Sequence, residues 1–229
     1  MRLDKFVSHA TDLSRAQVKR AIKCEQVAIN GIVALSPQQK VSAEDCVTFE
    51  GEKIFLPSLR YLMVNKPVGC VSATTDSENT TILDVIGESD SNLSIAGRLD
   101  KDTTGLMLLS DDGQWVHNVT SPRKRCAKTY IASLDKPVGN DVITRFAEGI
   151  QLRSETSTTL PAKLVPLEGN NAKVEIFEGK YHQVKRMFSA CGIHVLSLHR
   201  HAIGDLVLDP SLAPGEFRAL TAYEINRFK

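Results

Sequence analysis

The sequence predicts an α+β protein: a small basic module followed by a larger domain built on a mixed, mostly antiparallel sheet. Three observations lead there. Apolar runs are short and end at glycine, proline or an Asn-Gly pair, which marks strands rather than long helices. Helix-start signals are scattered between those runs, at Ser14 with Gln17 and at Thr221 with Glu224. Residues 51–60, with mixed charge, Gly51 and Pro57, divide the chain into a module at 1–50, a linker at 51–60 and a domain at 61–229.

The elements follow in order. Ser14 and Gln17 form a capping box that opens a helix ending near Cys24, with Val18, Ala21 and Ile22 on its inward face. Arg15, Lys19 and Lys23 recur at i, i+4 and i+8, which places them in one cationic stripe. Val27-Ala28-Ile29, Asn30-Gly31 and Ile32-Val33-Ala34 spell a hairpin, because Asn-Gly supplies the two positive φ angles of a two-residue loop. Strands are expected at Tyr61-Leu62-Met63-Val64 and at Leu106-Met107-Leu108-Leu109, the second ended by a turn at Asp111-Asp112-Gly113. Residues 80–86 read as a short helix. The basic turn Arg123-Lys124-Arg125 feeds a strand over 128–134. A helix over 141–148 stops at Gly149, and residues 172–177 alternate as a half-buried strand. Val184, Met187, Phe188 and Cys191 share the buried face of a helix ended by Gly192. Strands near 194–198, 206–208 and 217–220 precede a last helix capped by Thr221 and Glu224.

Composition excludes several classes. The 229 residues are 42% hydrophobic and 24% charged, with no apolar run near the ~20 residues of a membrane span and no signal-peptide core at the start. Five cysteines, odd in number and never in a Cys-x-x-Cys pair, fit reduced thiols in a cytoplasmic protein. The net charge of +1 hides two basic zones. Residues 1–40 hold seven basic side chains against three acidic ones, and residues 179–201 hold Lys180, Lys185, Arg186 and Arg200, four histidines and no acid. Such zones in a near-neutral chain point to a polyanion bound along one face.

Neither nucleotide-binding glycine motif occurs, and no His-x-x-x-His spacing suggests a metal site. Asp100 and Asp102 would share one side only in an extended segment, and no further acid cluster completes a magnesium shell. Arg98, Asp100, Lys101 and Asp102 nevertheless crowd against a buried strand, bracketed by Gly97 and Gly105. One reading is a solvated loop with incidental charges. The other is a carboxylate kept ionised by a cation from the helix of Lys185 and Arg186, beside an aromatic such as Tyr130.

Two resemblances favour the second. Arg2-Leu3-Asp4-Lys5-Phe6, Ser14-Arg15 and Val27-Ala28-Ile29-Asn30-Gly31 resemble the S4 (α-L-like) RNA-binding domain over about 50 residues. Gly97-Arg98-Leu99-Asp100 with Thr103-x-Gly105-Leu106, Lys128-x-Tyr130, and Gly179-x-x-His182-Gln183-Val184-Lys185-Arg186-Met187 resemble the motifs of pseudouridine synthases. Asn65-Lys66-Pro67-x-Gly69 and Arg200-x-x-Ile203-Gly204 match the flanking motifs. The resemblance implies that Asp100 is the nucleophile on a flipped-out uridine, that Tyr130 stacks on the base, and that Lys185 pairs with Asp100 where many members carry arginine. It implies that Arg98 props the gap left by the base, and that Arg15, Lys19, Lys23, Arg123, Lys124, Arg125 and Arg186 meet RNA. No cofactor and no metal are implied. Length and the S4 module resemble the branch that modifies one uridine of small-subunit 16S ribosomal RNA, free or in an assembling particle, as a cytoplasmic monomer. A sister enzyme of large-subunit RNA and a non-catalytic S4 assembly factor are the rival readings.

Overall fold

A computed structural model of the chain describes every residue except Ala43, Asp90, Pro122 and Arg123. Arg123, one of the expected RNA contacts, therefore lies outside the described residues. The chain divides into two compact units, Met1–Ser58 and Leu59–Lys229.

The first unit contains helices α1 (Leu3–Ala10) and α2 (Arg15–Lys23) and strands β1 (Val27–Ile29), β2 (Ile32–Val33), β3 (Val47–Phe49) and β4 (Glu52–Lys53), in sheet order β2-β1-β3-β4. The capping box is present: the Ser14 N–H donates to Gln17 Oε1 at 2.8 Å and the Gln17 N–H to Ser14 Oγ at 3.4 Å. Asn30 and Gly31 take φ of 52° and 81°, and Ile29 faces Ile32 across the turn. Glu50 and Gly51 repeat that turn, with φ of 52° and 85°, and join β3 to β4. The expected linker is corrected here, since Glu52 and Lys53 form an edge strand. Both of its side chains are exposed, so it shows no apolar alternation in the sequence. Helix α1, which the sequence reading did not anticipate, sets Leu3 and Val7 one turn apart against Val18, Ile22, Val27 and Val47 in the core of this unit.

The second unit adds strands β5 (Tyr61–Lys66), β6 (Ser94–Ile95), β7 (Thr103–Ser110), β8 (Lys128–Leu134), β9 (Lys163–Pro166), β10 (Asn171–Ile176), β11 (Val195–Ile203), β12 (Leu206–Val207) and β13 (Phe217–Ala219). Its helices are α3 (Ile82–Val85), α4 (Gly113–Thr120), α5 (Asn140–Glu148), α6 (Gln183–Ala190) and α7 (Ala222–Asn226). The sheet runs β13-β5-β7-β11-β8-β10-β9, with β6 on β7 and β12 on β11. Pairings within it are antiparallel except β7 with β11, where Thr103 to Gly105 run alongside Leu198 to Arg200. Gly105 makes that pairing possible. Its φ is 103°, and a Cβ there would strike the Arg200 backbone.

Strand β7 is covered on both faces, which explains its unbroken apolar run. Met107 and Leu109 join Phe146, Met187 and Phe188 on one face, and Leu106 and Leu108 join Trp115, Ile203 and Phe228 on the other. The turn expected at Asp111-Asp112-Gly113 is the entry to α4. Asp112 caps it, accepting from the N–H groups of Gln114 at 3.0 Å and Trp115 at 3.1 Å. The signal was the Asp112 cap with Trp115 and Val119 buried at i, i+4 spacing.

Candidate active site

The stretch from Gly97 to Asp102 crosses the sheet at its parallel pair, just before β7. Its backbone is fixed from several directions. The Ser72 hydroxyl donates to the Leu99 carbonyl at 2.6 Å and accepts from the Leu99 N–H at 2.9 Å. The Thr103 N–H donates to the Asp100 carbonyl at 3.1 Å, closing a turn. Lys66, fully buried at the end of β5, donates its ammonium to the carbonyls of Thr103 at 2.9 Å, Pro67 at 3.0 Å and Lys101 at 3.4 Å. Burial pulls that ammonium below the ordinary lysine value, opposed by the charges of Asp102 and Asp100 among others. Arg200, equally buried in β11, sends Nε to the Leu106 carbonyl at 2.7 Å and Nη2 to the Gly97 carbonyl at 2.9 Å. Two buried cations are thus satisfied by main-chain oxygens, among them Lys101 and Gly97 of the loop that presents Asp100.

Helix α6 brings the partner. Lys185 Nζ donates to Asp100 Oδ2 at 2.9 Å and to Asp102 Oδ1 at 2.5 Å. Burial alone lowers the Lys185 ammonium, but its bonds to the two carboxylates outweigh this and leave it above the usual lysine value. The hydrogen bond from Lys185 in turn holds the Asp102 carboxyl below its usual range. His182 stands just before the helix, with Nε2 3.3 Å from Asp100 Oδ1. Tyr130, buried on β8, shares with Asp100 and Lys185 a recess of about 90 Å³ that is walled by Ile176, Val184 and Leu198. A larger cavity of about 580 Å³ is also lined by Asp100 and Tyr130, and Arg98, exposed, lies on the walls of both.

Of the residues read from the sequence, the fold therefore gathers Asp100, Tyr130, Lys185 and Arg98. Arg186 is turned away: its guanidinium bonds Glu155 at 3.0 Å and the carbonyls of Tyr181 at 2.9 Å and Arg153 at 2.5 Å. Lys124 and Arg125 are exposed and line neither cavity. Arg15, Lys19 and Lys23 are exposed on α2 of the first unit. Four contributors were given no role: Lys66, His182 and Arg200, which stand in the quoted motifs, and Ser72, which does not. For those three the motifs were the signal, though not of what each side chain touches. For Ser72 the sequence holds none, because only the fold brings residue 72 to residue 99.

Chemically, the site is a half-buried carboxylate beside an ammonium, against an aromatic wall, at the floor of a cavity sized for a nucleotide. Among the described residues no group of three His, Cys, Asp or Glu side chains forms. The space between Asp100 and Asp102 is filled by the Lys185 ammonium.

Comparison with known proteins agrees with this geometry. The family model described as RNA pseudouridylate synthase matches residues 60–190, and the S4 domain model matches residues 1–47. The chain is 48% identical over 227 residues to the ribosomal small subunit pseudouridine synthase A of Yersinia pestis, covering 98% of this chain and 97% of that protein. It is 47% identical over 229 residues to the protein of that name in Haemophilus influenzae, covering 99% of each. A solved crystal structure of a pseudouridylate synthase superposes with a TM-score of 0.73 at 46% identity, over the full length of both chains.

Proposed function

The chain belongs to the RNA pseudouridylate synthase family, and on that premise we propose that it converts one uridine of small-subunit ribosomal RNA to pseudouridine, with Asp100 as the nucleophile. The single observation behind the assignment of Asp100 is its setting: a carboxylate bonded to Lys185 at 2.9 Å in a recess shared with Tyr130. The Lys185 ammonium fixes the carboxylate where it faces the recess, and a carboxylate is a nucleophile. The carboxylate adds to the target nucleoside at the ribose C1′ or at the uracil ring. The N1–C1′ bond opens, the base turns, a C5–C1′ bond forms, and the bond to Asp100 breaks, returning the carboxylate. C5 gives up a proton and N1 gains one, so the product is an isomer and no oxidant or reductant takes part. A base inside a helix is out of reach of a floor-level carboxylate, so the uridine must leave the stack. Tyr130 offers the face it stacks on, and Arg98, at the cavity wall, props the vacated gap.

The substrate assignment rests on the near full-length similarity to proteins named for the ribosomal small subunit. The S4 unit supports an RNA substrate more generally, because the exposed α2 stripe offers phosphate contacts that read no sequence. The deciding experiment maps pseudouridine in ribosomal RNA from cells lacking the gene, rescued with wild type or Asp100→Asn. One small-subunit site should vanish and return with wild type alone, while Asp100→Asn still binds RNA within about twofold, since the change removes charge and little volume. A vanished site in large-subunit RNA would overturn the substrate, and a site restored by Asp100→Asn would overturn the nucleophile.

A further inference from the structure

Tyr181 is 75% exposed, yet it is firmly held. Its ring stacks on the His182 imidazole, with centroids 3.8 Å apart and planes 18° apart. His182 sits in left-handed backbone, φ 48°, which a residue with a Cβ keeps only where its surroundings hold it. Those surroundings are a charge network. Arg186 donates to the Tyr181 carbonyl at 2.9 Å and pairs with Glu155 at 3.0 Å, and Glu155 also takes Lys180 at 3.2 Å. One end of the stack already belongs to the catalytic group, because His182 Nε2 is 3.3 Å from Asp100. Tyr181 lines the catalytic cavity and also a second hollow of about 600 Å³, where the exposed Arg153 and Ser189 and the apolar Leu152 and Ala190 meet, and where the Glu155 carboxylate on the wall is already paired with Arg186 and Lys180.

An aromatic face beside a cation and a hydroxyl is the chemistry of a nucleotide: the base stacks and the phosphate meets the guanidinium. We infer that Tyr181 is the stacking platform for a base adjoining the target uridine, and that the second hollow seats that nucleotide with Arg153 at its phosphate. This rests on the reading of the chain as a uridine isomerase of RNA and adds a subsite to it. Flipping one nucleotide unstacks its neighbours, so a platform beside the cavity replaces the contact they lose. The continuous line from base to Tyr181, His182 and Asp100 then makes the sequence next to the uridine part of substrate choice.

The test is steady-state kinetics on a small-subunit ribosomal RNA transcript and on short fragments spanning the mapped uridine, each with one flanking nucleotide made abasic. Tyr181→Ala should raise KM about tenfold, with the loss in KM rather than kcat, while Tyr181→Phe keeps the wild-type value. Tyr223→Ala, removing a tyrosine that is 71% exposed on α7, should match wild type. On one abasic fragment, wild type and Tyr181→Ala should become equal. A Tyr181→Ala protein with the wild-type KM, or a deficit that persists on every abasic fragment, overturns the subsite. A wild-type protein that forms no pseudouridine in any RNA overturns the reading beneath it, and the subsite with it.

Discussion

Asp100 owes its setting to three cations, Lys185, Lys66 and Arg200. Lys185 divides one ammonium between Asp100 and Asp102, and because the Asp102 side chain is 71% exposed, solvent screens much of its share. Lys66 and Arg200 act from inside the fold, each through carbonyls of the presenting loop. For Arg200 this makes a definite expectation. Arg200→Met leaves the Gly97 and Leu106 carbonyls without their donor, at about 1–3 kcal/mol for each orphaned group. The thermal midpoint should fall by several degrees. Arg200→Lys should not restore turnover, because an ammonium lacks the fork that reaches both carbonyls. Thermal unfolding alongside pseudouridine formation checks both, and a fully active Arg200→Lys would refute the fork. The sequence showed Asp100, Tyr130 and Lys185 because motifs name them. It did not show Arg200 as a prop, because a strand residue's partners across a sheet leave no trace in the order of residues.

Among the elements, the parallel pairing of β7 with β11 decides whether a site exists. Gly105→Ala would place a methyl against the Arg200 backbone at positive φ, and should destabilise the protein by about 3 kcal/mol or more. Denaturant unfolding reads it, and a loss below about 1 kcal/mol would mean the two strands can separate without strain. The last helix carries a pH expectation. Glu224 is held at about 2, chiefly by Arg218, and caps α7 through Thr221. Asp209 is held at about 2 by Ser211 first and Arg218 after it. Both folded values lie below the ordinary 3.8 and 4.5. Their contribution is therefore complete above about pH 5 and is lost as pH falls toward 2. Arg218→Met should be less stable at pH 7 but lose less on acidification, as thermal melts from pH 7 to 3 would record. Capping boxes, the Asn-Gly hairpin and the α6 stripe were all legible, since each is a local pattern. Helix α4 and strand β4 were not. The first hides behind acidic residues that read as a turn, and the second exposes both side chains, leaving no periodicity.

For the molecule as a whole, each unit closes its own apolar core, so RNA binding and chemistry can be altered separately. Arg15→Ala with Lys19→Ala removes two exposed cations from α2 without touching Val18 or Ile22. Affinity for small-subunit ribosomal RNA should drop. The slope of log affinity against log salt should flatten by about 1.4 to 1.8, the release of two counterions. Filter binding across a salt series measures this, and an unchanged slope would mean the stripe does not face RNA.

By itself the sequence determined the family, the α+β class and most element boundaries, and it pointed to the carboxylate, lysine and aromatic that the fold brings together. These follow from short-range patterns and from motifs whose order along the chain survives in the residues themselves. The tertiary structure alone decided that Arg186 faces Glu155 while Lys185 faces Asp100, that Ser72 fixes Leu99, and that the exposed Tyr181 ring stacks on His182. The first three are contacts between residues 27 to 85 positions apart, and the last depends on the left-handed backbone at His182. Their energies depend on which backbone atoms the sheet brings within 3 Å, a quantity that spacing along the chain does not encode.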